Sequence, residues 1–209
     1  MKYIFLLFTC LLLIILSSCV TTPLKFTVPD QYDEPARNEI VQYAESLLGI
    51  RDLSQINGWF RNDCSGYVIG VYKTLGYRVK LFPHPYANKI SHALYYSLNK
   101  RGLTYTSGTP KRADVVFFKG TFDGAGDKVS HVGIVADIFR DETIRILNYT
   151  SKGVTELRMN LVTPSIHTDH SGNVVNDFLK KKDSLIENER LLSGELFYSF
   201  GDLHRYTRF

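Results

Sequence analysis

Residues 61–76 read RNDCSGYVIGVYKTLG. Val68, Val71, Tyr72 and Leu75 recur at helical spacing on one face, and Gly76 supplies a stop. The spacing predicts a helix that starts at or beside Cys64. Cys64 is four residues before Val68, so it lies on the inward face, in the first turn. An ordinary thiol, with a pKa of about 8.5, is a weak nucleophile at neutral pH. The positive end of a helix dipole lowers that value, and so does a nearby imidazolium. Cys64 has the first influence by position. The second needs one of the six histidines of the chain.

His131 opens the stretch HVGIVADI (131–138), in which Val132, Ile134, Ala136 and Ile138 share one face of a strand. TIRILN (143–148) follows, with Ile144, Ile146 and Asn148 on one face. The short connection between them predicts a β-hairpin. If its loop is Arg140–Asp141, Asn148 faces Gly133 and lies diagonal to His131. If the loop is Phe139–Arg140, Asn148 faces His131 directly. Both two-residue loops put His131 and Asn148 on the same face, because side chains alternate with a period of two. An odd-length loop puts them on opposite faces. With the right parity, Cys64, His131 and Asn148 have the chemistry of a nucleophile, a base and a group that orients the base. Backbone N–H groups at the start of the Cys64 helix are candidates to stabilise an oxyanion.

The rest of the chain is read outward from these stretches. A helix is expected after Asp33 or Glu34, opened by Pro35 and ended by Gly49. Its buried stripe is Ala36, Ile40, Tyr43, Ala44, Leu47 and Leu48. A third helix is expected over Asn88–Asn99. DVVFF (114–118), GVTELRM (153–159) and ELFYSF (195–200) are further strand candidates. Helices first and then antiparallel strands indicate an α+β domain. Residues 160–193 are polar and charged and have the look of an insertion, partly helical near 174–191. No internal repeat is visible.

The amino terminus, MKYIFLLFTCLLLIILSSC, has Lys2 and then an apolar run to Leu16. That run is shorter than the roughly 20 residues a spanning helix needs, and it has the length of a signal-peptide core. Leu16-Ser17-Ser18-Cys19 resembles the lipobox of bacterial lipoproteins. The resemblance implies a signal peptide over 1–18, a lipid on Cys19, a tether over 19–32 and a domain over 33–209. The protein is then exported and lipid-anchored to a bacterial membrane. The plainer alternative is an ordinary signal peptide with a coincidental cysteine. The chain has three cysteines. Cys10 leaves with the leader and Cys19 becomes a thioether, so Cys64 alone remains a thiol. A lone thiol in an exported protein is either reactive or a small buried hydrophobe.

Composition excludes other classes. With 44% hydrophobic and 13% aromatic residues the chain supports a real core. A formal charge of +4 suits an anionic wall or membrane surface. The one tight basic run, Lys180–Lys182, reads as a solvated face, so nucleic acid is not expected. IHTDH (166–170) lacks a third ligand motif for zinc and reads as an exposed loop. FDGAGD (122–127) lacks EF-hand spacing and reads as a glycine-rich loop edging the cleft. His84, His92 and His204 have no cysteine or carboxylate pattern around them. No cofactor or metal is expected. Trp59, Phe60 and Tyr67 read as core.

Four segments together resemble the NlpC-type cysteine peptidases, a papain-like family of cell-wall enzymes. DCSGYV is similar to that family's D-C-S-G-L/F-V motif, and SHVGIV to its histidine strand. PKRADVVFF is similar to its P-G-D-L/V-V-F-F strand, with Ala113 in place of the glycine. ILNYTSKGVTEL is similar to its I-x-H-A-S-x-x-G-V segment, with Asn148 at the third catalytic position. The resemblance runs from about Ile40 to Met159. It implies a papain-like fold and a Cys64–His131–Asn148 hydrolase acting on peptidoglycan stem peptides, often between D-glutamate and a diamino acid. INGWFRND and KLFPHPYANKI depart from the family's substrate-binding stretches. Two rival readings are a non-catalytic peptidoglycan-binding lipoprotein and a thiol acyltransferase or lipid amidase on the same fold.

Overall fold

Among the described residues, three α-helices precede the sheet. The computed structural model describes residues 33–83, 89–125, 128–181 and 189–209. Cys19, the expected signal peptide over 1–18 and the tether over 19–32 lie outside the described residues, as does Asn88, the expected start of the third helix. Helix α1 spans Asp33–Ser46, with Ile40, Val41 and Ala44 buried. Gly49, at φ +83°, takes the left-handed turn that ends this segment. Leu48 was expected in the buried stripe but is 38% exposed, because the helix stops at Ser46 and the chain turns away. Helix α2 spans Cys64–Thr74 and α3 spans Ile90–Asn99.

The strands are β1 (Thr104–Tyr105), β2 (Val115–Lys119), β3 (Val129–Ile138), β4 (Ile144–Thr150), β5 (Gly153–Met159) and β6 (Phe197–Gly201). They form one antiparallel sheet in the order β1-β6-β2-β3-β4-β5. The domain is therefore α+β. Short helices α4 (Ser193–Leu196) and α5 (Leu203–Tyr206) flank β6.

Both faces of the sheet are covered. Val115, Phe117, Val132, Ile134, Leu147 and Val154 face the helices, against Ile40, Val68, Val71 and Leu94. Val116, Phe118, Val135, Ile146, Leu157 and Met159 face the other way. That second face is closed by Leu196 and by the partly buried Leu161 and Leu179. The polar segment after β5 is thus a lid on the sheet. It is not helical at 174–181 or 189–191, contrary to expectation. Its backbone N–H groups go to carbonyls remote in sequence, Val175 to His167 (2.9 Å), Asp177 to Arg158 (3.0 Å) and Leu179 to Leu191 (2.9 Å). Asn176 Nδ2 donates to the carbonyls of Thr163 (2.9 Å) and Ile166 (2.8 Å), and Asp177 Oδ2 accepts from the Arg158 N–H at 2.7 Å.

One buried charge ties the layers together. Arg37, 1% exposed, reaches from α1 into the base of the sheet. Its guanidinium donates to Asp114 Oδ1 (2.7 Å), Asp202 Oδ1 (2.6 Å) and the Arg112 carbonyl (2.9 Å), and it approaches Asp33 Oδ2 at 3.4 Å. Burial works against its charge, but Asp114 and Asp202 outweigh that and hold it protonated. His204 Nδ1 lies 3.0 Å from Asp33 Oδ1, so this histidine does have a carboxylate neighbour, one that is remote in sequence. Beside the cluster, Ala113 adopts φ +65°, held by its N–H to the Val135 carbonyl (2.8 Å) and by the Tyr72 hydroxyl on its own carbonyl. An L-residue there costs about 1–2 kcal/mol. The residue that stands where the resemblance has glycine is thus held in a glycine conformation.

Replacing Arg37 by Met removes the guanidinium between Asp114 and Asp202, while Asp33 keeps Arg208. Breaking a buried pair in this way costs about 3–5 kcal/mol. Denaturant unfolding of Arg37→Met is expected to show a loss of that size with the m-value unchanged.

Candidate active site

The chain reaches Cys64 through a loop braced by its own side chains. Asn62 Oδ1 accepts from the Leu53 N–H at 2.7 Å, and Asn62 Nδ2 donates to Asp52 at 2.9 Å. Asp63 then caps α2. Its Oδ1 accepts from the Gly66 N–H (2.7 Å) and from the Ser65 hydroxyl (2.5 Å), while Arg61 Nε holds Oδ2 at 2.9 Å. Two glycines let this loop lie against the helix. A Cβ at Gly66 would meet the Arg61 carbonyl at 2.6 Å, and one at Gly70 would meet the Phe60 ring at 2.3 Å. Cys64 is left half-buried at the first helical position.

The hairpin that carries the other two residues solves a parity problem. Next to the turn, Ile138 pairs with Ile144, which leaves the odd-length loop 139–143. By itself that loop would put His131 and Asn148 on opposite faces. The register shifts between Val135 and Asp137, so that Ala136 is an extra residue on β3. Beyond this bulge Val135 pairs with Ile146 and Ile134 with Leu147. Continued one step, that register sets Asn148 opposite Gly133 and diagonal to His131, the arrangement expected for an Arg140–Asp141 loop. Gly133 is required there. A Cβ on it would lie 2.5 Å from Ile146 Cγ2 and 3.3 Å from Asn148 Cβ.

His131 Nε2 lies 3.0 Å from Asn148 Oδ1. The Asn148 amide is oriented from behind, since its Nδ2 donates to the Thr155 carbonyl at 3.1 Å. Its oxygen therefore faces the ring, and Nε2 carries the proton. Nδ1 remains for the thiol. The Phe118 ring packs against the imidazole, with centroids 6.0 Å apart. Burial pushes the Cys64 thiol pKa up, but the charge and hydrogen bond of His131 and the Val132 N–H outweigh it, and the net shift is downward. For His131, burial lowers the pKa, yet Cys64 and then Asn148 raise it above the ordinary value. The two shifts together favour a thiolate–imidazolium pair.

A cavity of about 380 Å³ opens on Cys64, edged by Arg61, Lys89, Phe122 and Ser130. The glycine-rich loop therefore does edge the cleft, through Phe122, which is 50% exposed. Phe60 and Tyr67 are buried as expected, with the Tyr67 hydroxyl on the Ala44 carbonyl at 2.9 Å. Trp59 is not core. It is 54% exposed, on the outer surface of α2, with the Lys73 ammonium of that helix 4.7 Å from its ring centroid. In the 166–170 loop, His167 Nδ1 bonds the Asn176 carbonyl at 2.6 Å and Asp169 closes its own turn.

Sequence reasoning missed three contributors to the site. Asp63 was legible as a cap directly before the helix. Thr155 acts through its carbonyl, which has no residue signature. The Ala136 bulge has none either.

No protein-family model matches the chain, and no curated protein matches it. Among solved structures it is similar to an NlpC/P60 family protein from Bacillus cereus ATCC 10987, at 14% identity and a TM-score of 0.44, over 81% of this chain and 40% of that one. It is also similar to an N-acetylmuramoyl-L-alanine amidase from Staphylococcus aureus, at 23% identity and a TM-score of 0.38, over 56% of this chain and 32% of that one. The chain spans less than half the length of either protein. Both likenesses are distant, and neither decides what this chain does.

The lowered thiol pKa is directly measurable. The rate of Cys64 alkylation by iodoacetamide is expected to rise with pH through a midpoint below the ordinary value of about 8.5. His131→Ala removes the imidazolium and is expected to move that midpoint upward. A wild-type midpoint at or above the ordinary value would mark Cys64 as a buried hydrophobe.

Proposed function

We propose that the protein is a cysteine hydrolase that cleaves amide bonds in peptidoglycan stem peptides and is tethered to a bacterial membrane by lipid on Cys19. The observation that carries the chemistry is the Cys64 thiol at a helix start beside an imidazole whose far nitrogen is held by Asn148 at 3.0 Å. The substrate class comes from the motif resemblance around Cys64, His131 and Asn148. The anchor comes from Leu16-Ser17-Ser18-Cys19 after the apolar run.

The steps follow from the arrangement. The Cys64 thiolate attacks the amide carbonyl and forms a C–S bond. The carbonyl oxygen becomes an oxyanion close to the Cys64 N–H at the helix start, where the helix dipole also favours negative charge. His131 gives its Nδ1 proton to the leaving amine as the C–N bond breaks. His131 then takes a proton from water, which attacks the thioester and releases the acid and the thiolate. Asn148 keeps the ring in place and, being neutral, adds no negative charge to it.

Two outcomes test the reading. Mass analysis of purified peptidoglycan incubated with the protein is expected to show new stem-peptide fragments, absent with Cys64→Ser. Loss of the general base typically costs about 10²–10⁴-fold. His131→Ala is expected to fall in that range for kcat/KM, and Asn148→Ala to cost less. Intact peptidoglycan after incubation with a thiol-reactive wild type would favour acyl transfer instead. For the anchor, metabolic labelling with an alkynyl fatty acid is expected to mark the wild type and to leave Cys19→Ala unmarked.

A further inference from the structure

At the far end of the catalytic helices lies a surface of cations set among aromatic rings. Arg101 follows α3, and its guanidinium carbon lies 5.3 Å from the centroid of the Phe82 ring and 5.2 Å from that of Phe209. Lys100 Nζ stands over the same Phe82 ring at 4.9 Å. The loop that carries Phe82 also carries Lys80, whose carbonyl accepts the Tyr206 hydroxyl. Arg208, one position before Phe209, pairs with Asp33. All four cations are exposed, and Phe209 is 67% exposed. Among the described residues, no carboxylate pairs with Lys80, Lys100 or Arg101. Two exposed acids of α1, Glu34 and Glu39, border the surface, and the exposed Arg78 and Arg205 offset them. Like charges this close repel one another, and an anionic partner relieves that repulsion.

The position of this surface says what the partner is. Arg208 holds Asp33, the residue that follows the segment 19–32. Even fully extended, a chain of that length reaches at most about 50 Å. Lipid on Cys19 therefore keeps this end of the domain near a bilayer. The catalytic cleft is at the other end. Helices α2 and α3 both start at the Cys64 cavity, through Cys64, Ile90 and Ser91. Each then runs about 15 Å before the chain reaches Lys80 or Lys100.

We propose that this surface docks on an anionic lipid bilayer, with Lys80, Lys100, Arg101 and Arg208 at the lipid phosphates and the Phe82 and Phe209 rings in the headgroup layer. The inference rests on the lipid-anchor reading, which supplies the bilayer. An acyl anchor and a basic patch act together, because the anchor removes the cost of finding the membrane and the patch fixes the orientation. The docked domain turns the Cys64 cleft away from the lipid, toward whatever polymer lies beyond it.

Reductive methylation of lysines, read by mass analysis on the full chain reconstituted in vesicles, tests this. Each basic residue at an anionic surface favours docking about fivefold, so Lys80 and Lys100 are expected to react at least about tenfold more slowly when phosphatidylglycerol is added to phosphatidylcholine vesicles. Lys152 is the internal control. It lies past the other end of α1, on a turn whose Val154 exchanges hydrogen bonds with Gly49 and Ile50, 2.9 Å each. Its rate is expected to be equal in both vesicles, and high salt is expected to remove the protection of the other two. Arg101→Gln/Phe209→Ser leaves both reporter lysines in place and is expected to reduce their protection at least about fivefold. Both side chains are exposed, so folding is not at risk. Equal rates of Lys80 and Lys100 in the two vesicles, equal slowing of Lys152, or protection that survives in the double variant would overturn the proposal. Fatty-acid labelling of Cys19 reports separately on the anchor. A labelled chain whose Lys80 and Lys100 stay reactive sinks the docking face alone, and an unlabelled chain that still shields them on anionic vesicles sinks the anchor alone.

Discussion

The bond from His131 to Asn148 depends on one extra residue in β3. Side chains alternate along a strand, so a hairpin with an odd loop turns one partner of the pair to the wrong face. The bulge at Ala136 restores the parity within three residues of Gly133, and Gly133 then leaves the space in which Asn148 sits. A bulge leaves a residue without its ladder partner, and it persists here because both flanks are fixed. On one side Val135 and Ile146 are fully buried, and on the other the turn is closed by the Phe139 N–H on the Thr143 carbonyl at 2.9 Å. The orientation of a histidine at one end of the hairpin is therefore set by packing near the other end.

The second constraint is the position of α2 relative to that hairpin. Cys64 reaches His131 only if the helix packs across β3 and β4 in one setting. The small residues at Gly66 and Gly70 let the preceding loop close onto the helix. The buried Tyr67, Val68 and Val71 seat the opposite face on the core. Arg37 fixes the far end of the same layer by joining α1 to Asp114 at the start of β2 and to Asp202 after β6. An ion cluster of this kind adds little net stability compared with apolar packing, but it fixes geometry, because any shift strands a buried charge. The left-handed Ala113 lies inside that framework, where the Tyr72 hydroxyl and the Val135 carbonyl hold it.

Much of this was legible from residue type and spacing. The helix from Cys64 to its stop at Gly76 and the strands around 115–119, 129–138, 144–150 and 153–159 follow from local periodicity and turn residues, whereas His131 and Asn148 share a face through a five-residue loop and a bulge in place of the expected two-residue loop. In its described residues, 174–181 and 189–191, the lid is not helical as expected, because its backbone N–H groups find carbonyls remote in sequence, such as those of Arg158, His167 and Leu191. Strand β1 was not anticipated. Its two residues are too few to show a period, and it exists only because β6 offers it a partner. Arg37 was not singled out, since of its carboxylate partners only Asp33 is near it in sequence and Asp202 lies 165 positions away.

The sequence by itself determined the chemical identities and the local frame: a thiol at a helix start, a histidine opening a strand, and an amide on the next strand. These follow from interactions within a few residues, where spacing is geometry. Tertiary structure alone decided that the three converge. It also decided that Trp59 turns outward and that the segment after β5 folds back over the second face of the sheet. Those outcomes depend on which buried groups find partners across the core, and such partners are chosen by three-dimensional closure and leave no pattern along the chain.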